Sequence, residues 1–361
     1  MNVRILLVVG SFILSVATGL ILGRGAAGTA AAGGRDDTLV VGLSLDTLKE
    51  ARWQADRDLF VSRVRALGGE VIVLSANSDD TVQISDVEKL ITNKVDVLVI
   101  VPHDGTAMAK AVSMAHQAGI PVIAYDRLIK DSDLDMYVSF DNLRVGELQA
   151  QFVVDQLKGK GKIVRIYGSK TDNNAAQFKQ GQDNVLKPFI DRGDIQVVHE
   201  DWADDWKPEN AKRIMNAAIT AKGTAFDAVL ASNDGTAGGA IQALTEEGLA
   251  GQKLVTGQDA ELVACQRIVA GTQAMSIYKP LKRLAGSAAE LAVKMGRRQV
   301  VVATQTTHNG RIAVPSLLNE VVTVTRANIA DTVVKDGFHP YDEVYRGVPV
   351  ANRPPRTPAQ P

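Results

Sequence analysis

Cysteine is almost missing from this sequence: Cys265 stands alone in 361 residues. One cysteine excludes an intramolecular disulfide and a cysteine-rich zinc site, and its ordinary role is that of a small buried hydrophobe. An excess of charge is missing too. The 40 Lys and Arg against 41 Asp and Glu leave a formal net charge of −1, which gives no composition-level case for nucleic acid or an acidic membrane surface as partner. Histidine is sparse and scattered: His103, His116, His199, His308 and His339 share no helix face, so neither a metal site nor a cofactor is expected. The run "DSDLDMYVSFDN" from Asp131 imitates the start of a calcium loop, but its sixth position is Met136 instead of Gly and its twelfth is Asn142 instead of Glu. "GTAGGA" at Gly235 has neither the spacing nor the Lys of a phosphate loop, and no Ser/His/Asp or Cys/His arrangement stands out.

The length suggests two domains, and 45% apolar with 22% charged residues is ordinary for a globular chain. The opening "MNVRILLVVGSFILSVATGLILGRG" has a basic start at Arg4 and an apolar run from Ile5 to Leu22, followed by small residues around Ala30 to Ala32. Residues 1–33 are therefore expected to export the chain, as a signal peptide or, since the run is roughly 18 residues long, as an N-terminal membrane anchor. The expected location is the periplasm or the outer face of the cell membrane. At the other end, "RGVPVANRPPRTPAQP" (346–361) is proline-rich and poor in large apolar groups, and is expected to be a disordered tail.

Between these ends, short apolar runs alternate with helical patterns. "TLVVGLSL", "EVIVLSAN", "VDVLVIVP", "IPVIAYD" and "MYVSFDN" form a first series; "KIVRIYGS", "IQVVHEDWA", "FDAVLASND", "KLVTGQDA" and "AMSIYKP" form a second. The runs are nearly all apolar, as strands are when helices cover both faces of a parallel sheet. An α/β fold of two doubly wound parallel-sheet lobes follows, with a cleft between them. Ligands of such sheets sit beyond the carboxyl ends of the strands.

The residues just past those runs are polar and varied. Arg52 and Trp53 open the first helix, and Asp126 and Arg127 stand side by side after "IPVIAY". The second series supplies Asn173 and Asn174, Trp202 and Trp206, Asn233 and Asp234, Gln258 and Asp259, and Lys279. A neutral sugar needs this mixture: carboxylates accept from its hydroxyls, Arg and Lys donate to the same oxygens, and amides do both. Flat rings such as Trp53 and Trp206 suit the apolar C–H faces of a pyranose. A phosphorylated or carboxylate ligand would call for a clearer cationic excess. Taken singly, each position has a plainer role. Asp234 and Asn142 are assigned first to helix caps, and Asp126 with Arg127 alone could be a surface ion pair worth ~0–1 kcal/mol. The convergence of many such positions favours a site.

Over Leu39 to about His339 the chain resembles the periplasmic sugar-binding proteins of ABC transporters. The motifs that carry the resemblance are "ARWQADRD", "DVLVIVP", "AYDRLI", "VSFDNLRVGELQA", "DNNA", "VLKPFID", "DWKPENA", "ASNDGTAGGAIQAL", "GQDAEL", "AGTQAMSIYKP" and "DTVVKDGFH". The resemblance implies a type I periplasmic-binding-protein fold, two lobes on a three-segment hinge. Residues 38–142 with 280–309 would form the N-terminal lobe and 143–279 with 310–345 the C-terminal lobe, crossing near Asp141–Val145, Tyr278–Pro280 and His308–Ile312. It implies sugar contacts from Arg52, Asp126, Arg127, Asn174, Asn233, Asp259 and Lys279, with Trp53 and Trp206 enclosing the ring. The implied ligand is a monosaccharide, D-xylose or a close aldopentose. The implied partners are a permease and its ATPase, served by a monomer with no catalytic activity and no contact with nucleic acid. Two further readings stand beside this one. A sensor could present the sugar to a membrane signalling kinase through the same site. A carbohydrate-active enzyme would need a metal cluster or dinucleotide fingerprint that the sequence does not show.

Overall fold

The computed structural model describes residues 38–356. The expected leader at 1–33 and the end of the expected tail, 357–361, lie outside the described residues. Among the described residues no helix is long and apolar enough to cross a membrane.

In chain order the first elements are β1 (Leu39–Leu45), α1 (Ala51–Ala66), β2 (Gly69–Ser75), α2 (Asp80–Thr92), β3 (Val97–Val101), α3 (Ala109–Gln117), β4 (Val122–Tyr125) and β5 (Met136–Phe140). The second series runs α4 (Asn142–Gln156), β6 (Gly161–Tyr167), α5 (Asn173–Asp191), β7 (Ile195–Trp202), α6 (Pro208–Lys222), β8 (Ala228–Ala231), α7 (Asp234–Glu246), β9 (Leu254–Val255), α8 (Leu262–Ala270) and β10 (Met275–Tyr278). Then come α9 (Leu281–Gly296), β11 (Gln305–His308), β12 (Ala313–Asn319) and β13 (Val322–Thr325).

The first sheet has the order β11-β12-β5-β4-β3-β1-β2, with every pair parallel except β11–β12. Its strands are apolar throughout because both faces are covered. Val97, Val99 and Val101 of β3 pack with α9 and with Phe60 and Val64 of α1, while Leu98 and Ile100 pack with Val87 and Leu90 of α2 and Ala111 and Val112 of α3. The second sheet, β7-β6-β8-β9, is parallel and sandwiched in the same way. Val164, Ile166 and Val229 face α6 and α7, whereas Ile163, Ala228 and Leu230 face α4 and α5. Two glycines set the α4–α5 contact. A Cβ at Gly146 would lie 2.0 Å from the Phe178 carbonyl oxygen, and one at Gly181 2.0 Å from that of Leu143. Backbone therefore meets backbone, which sets how closely α4 and α5 approach.

Three sequence expectations are corrected. The second series does not close with β9 and β10 in one sheet: β9 is two residues long, and β10 pairs antiparallel with β13 in a separate ribbon. Beyond β9, "KLVTGQDA" runs on without strand pairing and turns left-handed at Asp259 (φ 93°) and Ala260 (φ 49°). The third crossing does not fall at His308–Ile312. That segment is the turn of the β11–β12 hairpin, and β12 pairs in parallel with β5, so 313–319 belong to the first sheet. The chain changes sheets at Asp141, at Lys279–Pro280 and between Asn319 and Val322. The first and last of these are tied together, as the Asp141 amide donates to the Asn319 carbonyl (3.1 Å) and Asn319 Nδ2 to the Ser139 carbonyl (3.1 Å). Third, the described part of the expected disordered tail is held in place. Arg356 Nη2 bonds both oxygens of Asp342 at 2.7 and 2.8 Å, and Tyr341 Oη donates to the Pro354 carbonyl at 2.5 Å.

Candidate functional site

The carboxyl edges of the two parallel sheets face a shared cavity of about 310 Å³. All nine expected residues line it: Arg52, Trp53, Asp126 and Arg127 from the first lobe, and Asn174, Trp206, Asn233, Asp259 and Lys279 from the second lobe and its hinge strand.

Arg52 stands in the first turn of α1 and is buried with three carboxylates around it. Nη2 lies 3.0 Å from Asp56 Oδ2 and 2.8 Å from Asp126 Oδ2, and Nη1 reaches across to Asp259 Oδ1 at 3.1 Å. Burial works against its charge, but Asp126, Asp56 and Asp259 outweigh it and hold the guanidinium pKa well above its ordinary value. Trp53 lies flat under two cations, with the Arg52 guanidinium 4.1 Å and that of Arg127 5.3 Å from its ring centroid.

The pair Asp126–Arg127 is not a surface pair, since both are buried and each faces a different partner. Asp126 takes a left-handed backbone (φ 61°) at the end of β4. Its carbonyl collects Ser139 Oγ (2.6 Å), Tyr137 Oη (3.0 Å) and Asn174 Nδ2 (3.1 Å), which offset the strain of that conformation. Burial pushes the Asp126 carboxyl up, yet Arg52, Lys279 and Arg127 together hold it at about 2. Arg127 Nη1 donates to Asp46 Oδ2 (2.7 Å), and its Nε lies 3.0 Å from Asp172 of the second lobe.

On the second lobe, Asp172 caps α5 by accepting from the Asn174 amide (2.8 Å), and its Oδ2 takes the Trp206 indole N–H (3.1 Å). Trp206 follows Asp205 in left-handed conformation (φ 57° and 54°). Its ring lies on Gly168, where a Cβ would stand 2.0 Å from Cη2; only a residue without a side chain admits the indole there. Phe178 meets it edge-on at 6.2 Å. Asn233 caps α7: its Oδ1 accepts from the Thr236 amide and hydroxyl, both at 2.8 Å, which leaves the amide NH2 for a ligand. Lys279 is buried, 3.6 Å from Asp259 Oδ1 and 5.5 and 5.4 Å from the rings of Phe140 and Phe178.

The cap assignments shift by one residue. Asp141 and Asn233 are the caps, where Asn142 and Asp234 were expected. Asn142 instead donates to Asn174 Oδ1 (3.0 Å), orienting that amide. Asp234 anchors Ser276, Gln273 and the Glu261 amide. Of the other strand-end residues, Gln258 lines the cavity, whereas Asn173 and Trp202 do not, Trp202 packing on Tyr167 at 4.9 Å. The sequence reading passed over Asp46, Asp172, Phe178 and Glu261, all of them in the lining. Asp46 directly follows β1 and meets the same strand-end rule; Asp172 lies inside "DNNA". Phe178 sits within a helix and carried no signal.

The walls thus combine seven left-handed non-glycine residues at or beside the cavity (Asn77, Ser78, Asp126, Asp205, Trp206, Asp259, Ala260), two indoles, and acids interleaved with bases. That arrangement suits a small neutral ring bearing several hydroxyls. Among the described residues no group of His, Cys, Asp and Glu is placed to hold a metal ion.

A two-lobed α/β protein with its polar cleft between the lobes and three chain crossings beneath it belongs to the class that encloses a solute by hinge closure. The chain belongs to the periplasmic binding protein family: residues 41–298 match the periplasmic binding protein domain. It is 50% identical over 304 residues to a D-xylose-binding periplasmic protein of Escherichia coli, covering 84% of this chain and 92% of that one. A multiple sugar-binding periplasmic receptor of Rhizobium radiobacter is 37% identical, over 85% of this chain and 93% of the other. A carbohydrate transporter solute-binding protein of Chloroflexus aurantiacus, solved with D-glucose, superposes with a TM-score of 0.80 at 34% identity and covers 85% of this chain and 98% of its own. The relatives are transport receptors, and the chain is a binding protein of that kind, not an enzyme.

Proposed function

We propose that the protein is the solute-binding receptor of an ABC sugar importer, binding D-xylose or a close aldopentose in the cleft and delivering it to a membrane permease driven by an ATPase. The observation that carries the ligand class is the set of cross-lobe contacts Arg52–Asp259, Arg127–Asp172 and Asp126–Asn174 (3.1, 3.0 and 3.1 Å). Polar groups from both lobes meet only when the cleft is shut, so a ligand inserted among them favours the closed state by its differential contacts. Arg52, Arg127 and Lys279 donate to ring hydroxyls, Asp126 and Asp259 accept, Asn174 and Asn233 do either, and Trp53 and Trp206 flank the ring. The 50% identity to a protein named for D-xylose supports the pentose over a hexose. The protein works in the periplasm as a monomer, exported by residues 1–33.

A thermal-unfolding panel of D-xylose, L-arabinose, D-ribose and D-glucose tests the reading. A sugar at about 100 times its Kd stabilises by about 2.7 kcal/mol, a rise of roughly 5–10 °C for lobes of this size. No shift with any aldopentose, beside a clear shift with another solute, would contradict it.

A further inference from the structure

The motif "DTVVKDGFH", Asp331–His339, supplies no residue to the cavity wall. It follows β13 and returns to the second lobe beside the turn that presents Asp259. We propose that His339 is a positioning residue for sugar binding: its Nε2–H holds the Ala260 carbonyl, and with it the left-handed Asp259–Ala260 turn that aims the Asp259 carboxylate at Arg52. This rests on the sugar-binding reading of the same cavity.

Two adjacent non-glycine residues in left-handed conformation persist only where their surroundings over-determine them. Here the turn has three strong anchors. The Asp259 amide donates to the Ile277 carbonyl (2.8 Å), and the Ala260 amide donates to Ser276 Oγ (3.1 Å). His339 Nε2 lies 2.8 Å from the Ala260 carbonyl oxygen. The first two come from the adjacent strand β10; the third comes from a distant part of the chain. Apart from His339, the carbonyl meets the Cys265 thiol at 3.4 Å, a weak donor. Ala260 is fully buried, so its carbonyl depends on protein donors. Phe338 sets the imidazole plane, 4.4 Å away, and its own ring lies 5.0 Å from Tyr278, the residue before Lys279. The strap therefore touches the segments that carry Asp259 and Lys279 into the cavity. Burial lowers the His339 pKa against the opposing carbonyl bond, so the ring is neutral at neutral pH and the carbonyl selects the Nε2–H tautomer.

His339→Met and His339→Gln separate positioning from packing, since the two side chains are close in size and only Gln can donate. Calorimetry with D-xylose should give His339→Met a Kd about tenfold weaker than wild type, the consequence of leaving a buried carbonyl without its donor, and His339→Gln a Kd within about threefold. Unfolding temperatures measured without sugar should fall further in His339→Met than in His339→Gln, since the orphaned carbonyl also costs the sugar-free fold. Equal affinity in the two variants overturns the proposal. Two readouts do not depend on sugar or on the variants folding equally well. The wild-type imidazole 15N spectrum must show the Nε2–H tautomer, and an Nδ1–H tautomer overturns the proposal. The Asp259 to Glu261 amide resonances should move in His339→Met and stay in His339→Gln; unmoved resonances in both overturn it. If wild type binds no aldopentose, the sugar reading fails on its own, and these spectra still decide the role of His339.

Discussion

Asp126 offers two acceptor oxygens to the cavity, one 2.8 Å from Arg52 Nη2 and the other 3.1 Å from Asn174 Nδ2. Asp126→Asn keeps the shape of the side chain and the left-handed backbone, which Asn tolerates better than other non-glycine residues. What it removes is the charge. An amide accepts a hydroxyl more weakly than a carboxylate, and its NH2 would meet Arg52 on one side or Asn174 on the other. Losing charge-assisted bonds to sugar hydroxyls costs about 2–4 kcal/mol, roughly a 30- to 700-fold rise in Kd. The fold survives because Arg52 retains Asp56 at 3.0 Å and Asp259 at 3.1 Å. The wild-type carboxyl is held at about 2, so the defect should be constant over about pH 5 to 9. Calorimetric titration with D-xylose, beside thermal unfolding of the sugar-free variant, measures both sides. A variant that unfolds cooperatively and binds within about threefold of wild type would refute the assignment of Asp126 to the sugar.

Gly168→Ala places a methyl where the Trp206 indole lies, 2.0 Å from Cη2, so the indole must leave the cavity wall. Sugar affinity should fall about tenfold or more, with a changed tryptophan emission spectrum; unchanged emission and Kd would remove Trp206 from the ligand wall. Stability of the sugar-free protein should also fall as pH rises. Burial, then Asp259, raises Glu261 from 4.5 to about 7, with Glu50 of the other lobe adding to the shift. A raised carboxyl contributes stability that is complete below 4.5 and gone once pH passes about 7. His103 lies 3.7 Å from Asp205 across the cleft mouth. Burial pulls it down, but the Asp80 hydrogen bond and Asp46 raise it above 6.5, so its contribution is complete below 6.5 and lost as pH climbs through the raised value. Thermal unfolding of the sugar-free protein from about pH 5 to 8 should show a falling midpoint, with a shallower slope in Glu261→Gln; equal slopes would exclude Glu261.

The strand-end reading found cavity residues because a parallel sheet covered on both faces writes its strands as unbroken apolar runs. The polar residues just past such a run then fall on the ligand edge, as Asp126 does directly after β4 and Asn233 two residues after β8. What was not legible depends on distant pairing or on backbone strain. The β11–β12 hairpin is mixed and partly exposed, and only its pairing with β5, far back in the chain, places it in the first sheet. The left-handed turn at Asp259 and Ala260, which follows the short β9, is held by hydrogen bonds that no local pattern encodes. Phe178 reaches the cavity because the glycine contact between α4 and α5 fixes its helix, a consequence of packing with no motif of its own.

Calorimetric titration of the purified protein with D-xylose, set beside D-ribose and D-glucose, bears on the central claim most directly. One site per chain, with D-xylose the tightest of the three, is the result expected of a pentose receptor. Heat and saturation with another solute, and none with any aldopentose, would contradict it.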